Sequence, residues 1–348
     1  MPVRVCRLHG RNDLRLETLP EAEPAEGEVL VRVGAGGICG SDLHYWQDGG
    51  FGPIRVREPI ILGHEVAGTV ERLGPGVAGL APGDRVALNP SQPCGRCRLC
   101  AQGLFHHCLE MRFLGSALRF PHEQGAFRDR IAIPAARCER VSPATSLAEA
   151  ACAEPLAVCL HAANRAGNLA GARVLVTGAG PIGALCVAVA RHRGAAEVVA
   201  TDLHDRPLAV AREMGATRVA NVAAEPDALA PFEADKGWFD VAFECSAAAP
   251  AIDAAIRAVR PQGRVVQVGV SGPQPVAINA LVGKEITLVG THRFHAEFAQ
   301  AAALIDAGAI RVAPLITHSF PAERLDEAFR TAADRTRAVK TQLVFASP

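Results

Sequence analysis

Charge of one sign, aromatic side chains and long apolar runs are all scarce in this chain of 348 residues. Lys and Arg number 36 and are matched by 36 Asp and Glu, so the formal net charge is zero. That balance argues against a nucleic-acid or anionic-membrane partner, each of which calls for a basic surface. Aromatics make up 5% of the chain, with a single Tyr and two Trp. No stretch interleaves them with basic residues as a base-stacking surface does. No run reaches the roughly 18 apolar residues of a membrane-spanning helix. The opening segment Met1-Pro2-Val3-Arg4-Val5-Cys6 lacks the apolar core of a secretory signal. The expectation is a cytoplasmic protein with reduced thiols. A hydrophobic content of 49% and a charged content of 21% are those of an ordinary globular protein, and the length suits two domains.

Cysteine, by contrast, is plentiful, at 11 residues. Cys94, Cys97, Cys100 and Cys108 fall at Cys-x2-Cys-x2-Cys-x7-Cys. Four thiolates so spaced close a tetrahedral shell around one Zn²⁺, the arrangement of a structural site with no open position. Disulfides are the alternative, and nothing else in the chain looks secreted. The long loop from about Asn89 to Arg112 has few signals for secondary structure of its own, and the four cysteines staple it.

About 30 residues earlier lie Gly37-Ile38-Cys39-Gly40-Ser41-Asp42 and Gly63-His64-Glu65-Val66-Ala67-Gly68. Cys39, His64 and Glu65 offer sulfur, nitrogen and oxygen. Three protein ligands with a fourth position left for water or substrate make a catalytic zinc site. Glu65 is read either as a direct ligand or as a residue behind one. Glu154, in Ala153-Glu154-Pro155-Leu156, is a further carboxylate that binds the metal directly, binds it through water, or merely caps a helix.

The first 150 residues or so are rich in Gly and Pro with short β-type runs such as Glu28–Val33 and Val66–Leu73. From about Cys152 strands and helices alternate: Arg173–Thr177, Pro181–Arg193, Glu197–Asp202, Arg206–Gly215, Phe239–Glu244, Arg264–Gly269 and Ile286–Gly290. Such alternation implies a parallel sheet covered by helices, hence an α/β chain with a second, mostly β unit. Gly178-Ala179-Gly180-Pro181-Ile182-Gly183 fits G-x-G-x-x-G between a strand and a helix, the context a dinucleotide site requires. The glycines let backbone approach the pyrophosphate, and the helix N-terminus offers free N–H groups. Asp202 ends the next strand 19 residues after Gly183. It is expected to accept from the ribose hydroxyls and to favour NAD over NADP, while Arg206 leaves NADP open. Val268 and Val270 are taken as further nucleotide contacts.

In this order the motifs resemble the zinc-dependent medium-chain dehydrogenase/reductase family over essentially the whole chain. The resemblance implies a GroES-like catalytic domain from residues 1–150 and 291–348, with the zinc lobe at 89–112. A Rossmann domain over 151–290 is inserted between them. It implies two zinc ions per chain, one catalytic and one structural, an active site in the cleft, and a homodimer or homotetramer. The segments Cys39–Trp46 and Glu154–Val158 look like the polyol dehydrogenase branch, and Gly290–Phe298 is similar to L-idonate 5-dehydrogenases. The implied reaction oxidises a secondary alcohol of a small sugar acid, with a sorbitol- or xylitol-type polyol as the alternative. By the same resemblance Ser41 and His44 are candidates for the proton relay, with a surface or ribose-contacting histidine as the alternative for His44, and Tyr45, Phe113 and Arg293 line the substrate pocket. Arg293 suits a carboxylate held bidentately, and equally a contact to polyol hydroxyls or to cofactor phosphate. A non-enzymatic NAD-binding relative is opposed by the intact ligand set and fingerprint. A zinc-free reductase is opposed by Cys39, His64 and the four-cysteine loop.

Overall fold

The computed structural model describes residues 2–345. Two sheets organise it. The larger has seven strands, and its centre is Glu28–Gly37, a run whose apolar side chains are almost all buried. Glu65–Leu73 pairs antiparallel along one side of it, followed outward by Arg85–Leu88 and Cys138–Val141. Arg130–Pro134 also pairs with the central strand. On the other side lies Lys340–Val344, near the end of the chain, with Ile316–Pro321 beyond it. Residues from both halves of the sequence therefore share one sheet, and the segment between them forms the second layer.

That segment holds six parallel strands. Numbered along the chain from Arg173–Thr177 to Thr287–Gly290, they run 3-2-1-4-5-6 across the sheet. The order reverses beside Arg173–Thr177, which pairs with both Glu197–Asp202 and Phe239–Glu244. Ligands of open α/β sheets bind at such a reversal, at the carboxyl ends of the strands. Buried Val, Leu and Ala fill the strands as expected where both faces are covered. The helix Pro181–His192 follows the first strand, with Gly180 as its cap residue and Pro181 in its first turn.

Most of the elements read from the sequence are present within a few residues. The Ala-rich stretch near 144–153 divides instead into a single turn, Leu147–Ala150, and a longer helix, Ala153–Ala166. The strand Arg218–Asn221 was not anticipated. It is a sheet edge with only Ala220 buried, so it carries no apolar run. Between Asn89 and Arg112 there are only a two-residue strand, one α-turn and one 3₁₀ turn. Among the described residues no helix is long and apolar enough to cross a membrane.

Candidate functional site

Sheet register assembles the first cluster. Gly37 pairs with Glu65 on one neighbour and with Gln342 on the other. Cys39 follows Gly37 by two residues, so its thiol stands beside the loop that carries His64. The ligand atoms of Cys39, His64 and Glu65 all lie within 4.8 Å of one another. Gly37 has to be glycine, because a Cβ there would sit 2.1 Å from Oε2 of Glu65. His64 and Glu65 are both buried.

Two residues that the sequence reading did not single out hold this cluster. Asp42 is completely buried. Its Oδ2 accepts from the backbone N–H of Cys39 at 3.0 Å, and its Oδ1 lies 3.8 Å from Nδ1 of His64. A carboxylate behind a ligating imidazole fixes the ring and its tautomer. Cys39 and Asp42 also begin the helix Gly40–Asp48 as a reciprocal capping pair. Lys340 is the second. Its Nζ donates to both oxygens of Glu65, at 2.8 and 2.7 Å, and to the carbonyl of Ile38. Burial opposes the ammonium, but Glu65 and Cys39 outweigh it and the pKa is raised.

Glu154 sits in the first turn of Ala153–Ala166 and is buried. Burial pushes its carboxyl up to about 7; His64 pulls it down and Glu65 adds to the rise. Burial likewise depresses His64, yet Asp42 and Cys39 more than reverse this, so its pKa is raised. Both groups therefore hold protons that a metal cation would displace. A pH dependence follows for the metal-free protein. A carboxyl whose folded pKa lies above its unfolded value stabilises the fold below the unfolded pKa, and that contribution is lost as pH rises through the folded value. Wild-type protein with chelator is expected to lose roughly 3 kcal/mol more than Glu154→Gln between pH 4.5 and 7. Urea unfolding at several pH values checks this; parallel profiles for the two proteins would refute it.

Phe113 links the cluster to Arg293. Its ring is 5.5 Å from that of His64, and the guanidinium of Arg293 lies 4.5 Å over its face. Arg293 adopts a left-handed backbone, φ 53°, uncommon for a residue with a side chain and frequent at functional sites. Burial lowers its pKa, while the charge of Glu154 opposes that fall from a distance. No described carboxylate forms an ion pair with it. Tyr45 is buried, with its hydroxyl accepting from the N–H of Ala117 at 3.3 Å. On the same helix Ser41 is half-buried and His44 is exposed, its ring beside Phe51 and its Nδ1 3.0 Å from Asp48.

The four remaining ligand candidates form a separate cluster. Sγ of Cys97 is 3.5 Å from that of Cys100 and 4.0 Å from that of Cys108. A tetrahedron with Zn–S of about 2.3 Å has sulfur–sulfur edges of about 3.8 Å, whereas a disulfide is about 2.05 Å. Backbone N–H groups of Cys94, Cys97 and Glu110 point at the sulfurs. Bonds from backbone, first of all that of Cys100, hold the Cys97 thiol down at about 6. The donor sets of both clusters fit zinc.

At the sheet reversal, Gly178 takes φ 83° and a Cβ on Gly183 would sit 1.8 Å from the carbonyl oxygen of Gly178. Gly180, Pro181 and Ile182 open the helix, and a Cβ on Gly180 would meet nothing within 4 Å, which leaves room for a phosphate. Asp202 is already tied to the turn: its carboxylate accepts from the N–H groups of Ala179, Leu203 and His204. Arg206 is exposed on the next helix. Val268 is buried just past its strand, whereas Val270 is 65% exposed.

Comparison with known proteins agrees with this arrangement. Residues 25–143 match the alcohol dehydrogenase GroES-like domain, and residues 181–307 match the zinc-binding dehydrogenase domain. The chain is 41% identical over 318 residues to L-idonate 5-dehydrogenase (NAD(P)(+)) of Escherichia coli, covering 91% of this chain and 92% of that one. It is 38% identical to human sorbitol dehydrogenase, covering 93% and 91%. The crystal structure of L-idonate 5-dehydrogenase from Escherichia coli superposes with a TM-score of 0.94 at 38% identity, over 99% of this chain and 98% of that one.

Proposed function

Because the chain belongs to the zinc-binding, GroES-like alcohol dehydrogenase family, an NAD(P)-dependent family of oxidoreductases, we propose that it oxidises the C5 hydroxyl of L-idonate to the 5-keto acid. One observation carries the substrate class: Arg293 is a half-buried cation without an ion-pair partner among the described residues, braced on Phe113 beside the Cys39–His64 cluster. A cation partly withdrawn from water gains from a counterpart, and a planar guanidinium suits a carboxylate in particular.

Cys39 and His64, with Glu65 or Glu154, would hold the catalytic zinc, and Cys94, Cys97, Cys100 and Cys108 the structural one. Gly178, Gly180, Pro181, Ile182, Gly183, Asp202 and Val268 would hold the nucleotide. When bound, zinc supplies a Lewis acid to the substrate hydroxyl and the nicotinamide accepts hydride. The chain's own residues do the rest. Arg293 anchors the carboxylate and so fixes which hydroxyl reaches the cluster. Phe113 and Tyr45 wall the pocket and exclude water. Glu154, buried in the first turn of Ala153–Ala166, faces the cluster as the carboxylate that would bind the metal directly or through water. Ser41 and His44 lie on the helix that leads outward, and exposed His44 delivers the proton to solvent. Asp202 favours NAD; Arg206, on the exposed side of its helix, leaves room for NADP.

We further place the catalytic domain at residues 1–150 and 291–348 and the nucleotide domain at 151–290, in a cytoplasmic homodimer or homotetramer. The free sheet edge Thr287–Gly290 and exposed Ile278 and Val282 support the assembly.

The deciding experiment compares initial rates of NADH formation with L-idonate, D-gluconate, sorbitol, xylitol and L-threonine, before and after Arg293→Ala. Losing a charge-assisted pair is expected to cut kcat/KM for L-idonate by about 100-fold and for sorbitol by about threefold. Equal losses would end the carboxylate reading. A wild-type preference for sorbitol or xylitol would instead establish a polyol dehydrogenase, the reading favoured by the likeness to human sorbitol dehydrogenase.

A further inference from the structure

Three of the free cysteines outside the metal clusters converge beneath the nucleotide turn. Cys159 is on the helix Ala153–Ala166, Cys186 on Pro181–His192, and Cys245 just after the strand Phe239–Glu244. The sulfurs of Cys186 and Cys245 are 3.9 Å apart, in contact. Cys159 approaches the same helix from another side and donates its one S–H to the carbonyl of Ile182 at 3.4 Å. Cys186 accepts from the Cys245 thiol. The nearness of Cys159 and then of Cys245 brings it down to about 5, while Cys245 is held above the usual range by its bond to Cys186 and by burial. A lone buried cysteine is an inert apolar filler; two thiols in contact, one of them partly exposed, are a pair that an oxidant can join.

The position gives this chemistry a consequence. Cys186 lies three residues beyond Gly183 on the helix that the fingerprint opens. Cys245 adjoins Ser246, whose N and Cβ stand 2.9 Å from where a Cβ of Gly178 would be. The pair therefore spans the turn, with one sulfur on the helix and the other on the loop against which the turn packs. Cys159 and Cys186 are buried, but Cys245 is partly exposed.

We propose that Cys186 and Cys245 form a reversible disulfide, driven by a hydroperoxide, that weakens nucleotide binding. The coupling rests on reading Gly178–Gly183 as the coenzyme cradle. In the first step the Cys245 thiol attacks the peroxide; the O–O bond breaks, the thiol proton passes to the departing oxygen, Cys245 becomes a sulfenic acid, and one water (or alcohol) leaves. Cys186 then attacks that sulfur, the S–O bond breaks, and a second water departs. Two thiols are oxidised, one peroxide is reduced, and both thiol protons end in the products. Closing 3.9 Å to the roughly 2.05 Å of a disulfide brings the sulfurs about 1.9 Å closer. The fingerprint has no slack for such a shift, since Gly183 and Ser246 already crowd Gly178.

The test uses the zinc-loaded full chain, treated with a few equivalents of hydrogen peroxide, then denatured, alkylated and digested for mass spectrometry. The expected result is a linked pair of peptides carrying Cys186 and Cys245, 2 Da lighter than their sum. NADH is expected to bind about tenfold more weakly, and dithiothreitol to restore it. Neither effect is expected in Cys186→Ala or Cys245→Ser, which serve as alternates should one fail to fold. Three outcomes would overturn the switch: both thiols alkylated after peroxide, a linkage that leaves NADH affinity unchanged, or an equal loss of affinity in the variants. Failure of NADH to bind the reduced protein would refute the cradle reading and the coupling with it. The mass shift still decides whether the disulfide forms.

Discussion

Cys39→Ser is expected to lower kcat/KM for the favoured alcohol by about a thousandfold or more, while the protein stays folded. A metal that polarises the reacting oxygen is worth several kcal/mol, and each 1.36 kcal/mol is about tenfold in rate. The substitution separates the two jobs of Cys39. As the residue preceding Gly40–Asp48 it caps the helix, with its N–H held by Asp42. Serine is among the best residues at that position, so the helix start survives. As a ligand it contributes the only thiolate of the cluster, and a serine hydroxyl does not ionise near neutrality. Metal analysis is expected to fall from about two zinc ions per chain to about one, because the Cys94–Cys108 loop is untouched. Unchanged activity with one zinc remaining would show that the Cys39–His64 cluster is not where the alcohol reacts. Loss of both ions would show instead that the two clusters are coupled through the fold.

What could be read in advance from the sequence depended on how local each constellation is. The four-cysteine loop and the glycine fingerprint are contiguous, so spacing alone displays them. Cys39 and His64 are 25 residues apart, yet each lies in a Gly-rich segment and a single antiparallel pairing joins them. Asp42 was within reach: Cys39-x-x-Asp42 is a helix-start pattern, and an acidic residue there faces back towards the cap. Lys340 was not. It reaches Glu65 only through two successive pairings across Glu28–Gly37, from a strand near the far end of the chain. Its one local clue is that it opens Lys-Thr-Gln-Leu-Val, a strand whose first four residues are buried although three of them are polar. The thiol trio was equally hidden, because its members stand on two helices and a strand end, and no periodicity relates them. Arg293 was identified by resemblance. Its left-handed backbone and its seat on Phe113 are properties of the folded chain alone.

Lys340→Met is expected to destabilise the metal-free protein by about 3–5 kcal/mol, the usual cost of removing one partner from a buried ion pair. Both side chains are 3% exposed, so water cannot take over the role of the ammonium. Glu65 is then left as a buried carboxylate that must either take up a proton or find another cation. Methionine matches the aliphatic stem of lysine closely enough that packing contributes little to the loss. The informative comparison is with zinc present. If Glu65 faces the metal, the carboxylate freed from Lys340 gains a second cation, and the penalty in loaded protein falls to less than half of that in stripped protein. Zinc also binds more tightly to the variant, because one positive charge has left its surroundings. Equal penalties in the two states would place Glu65 behind the ligand shell and leave Glu154 as the carboxylate that completes it. The double variant Glu65→Gln with Lys340→Met checks the assignment. A neutral pair of similar volume is expected to recover most of the lost stability, since the cost lies in the unpaired charge and not in the absent bond.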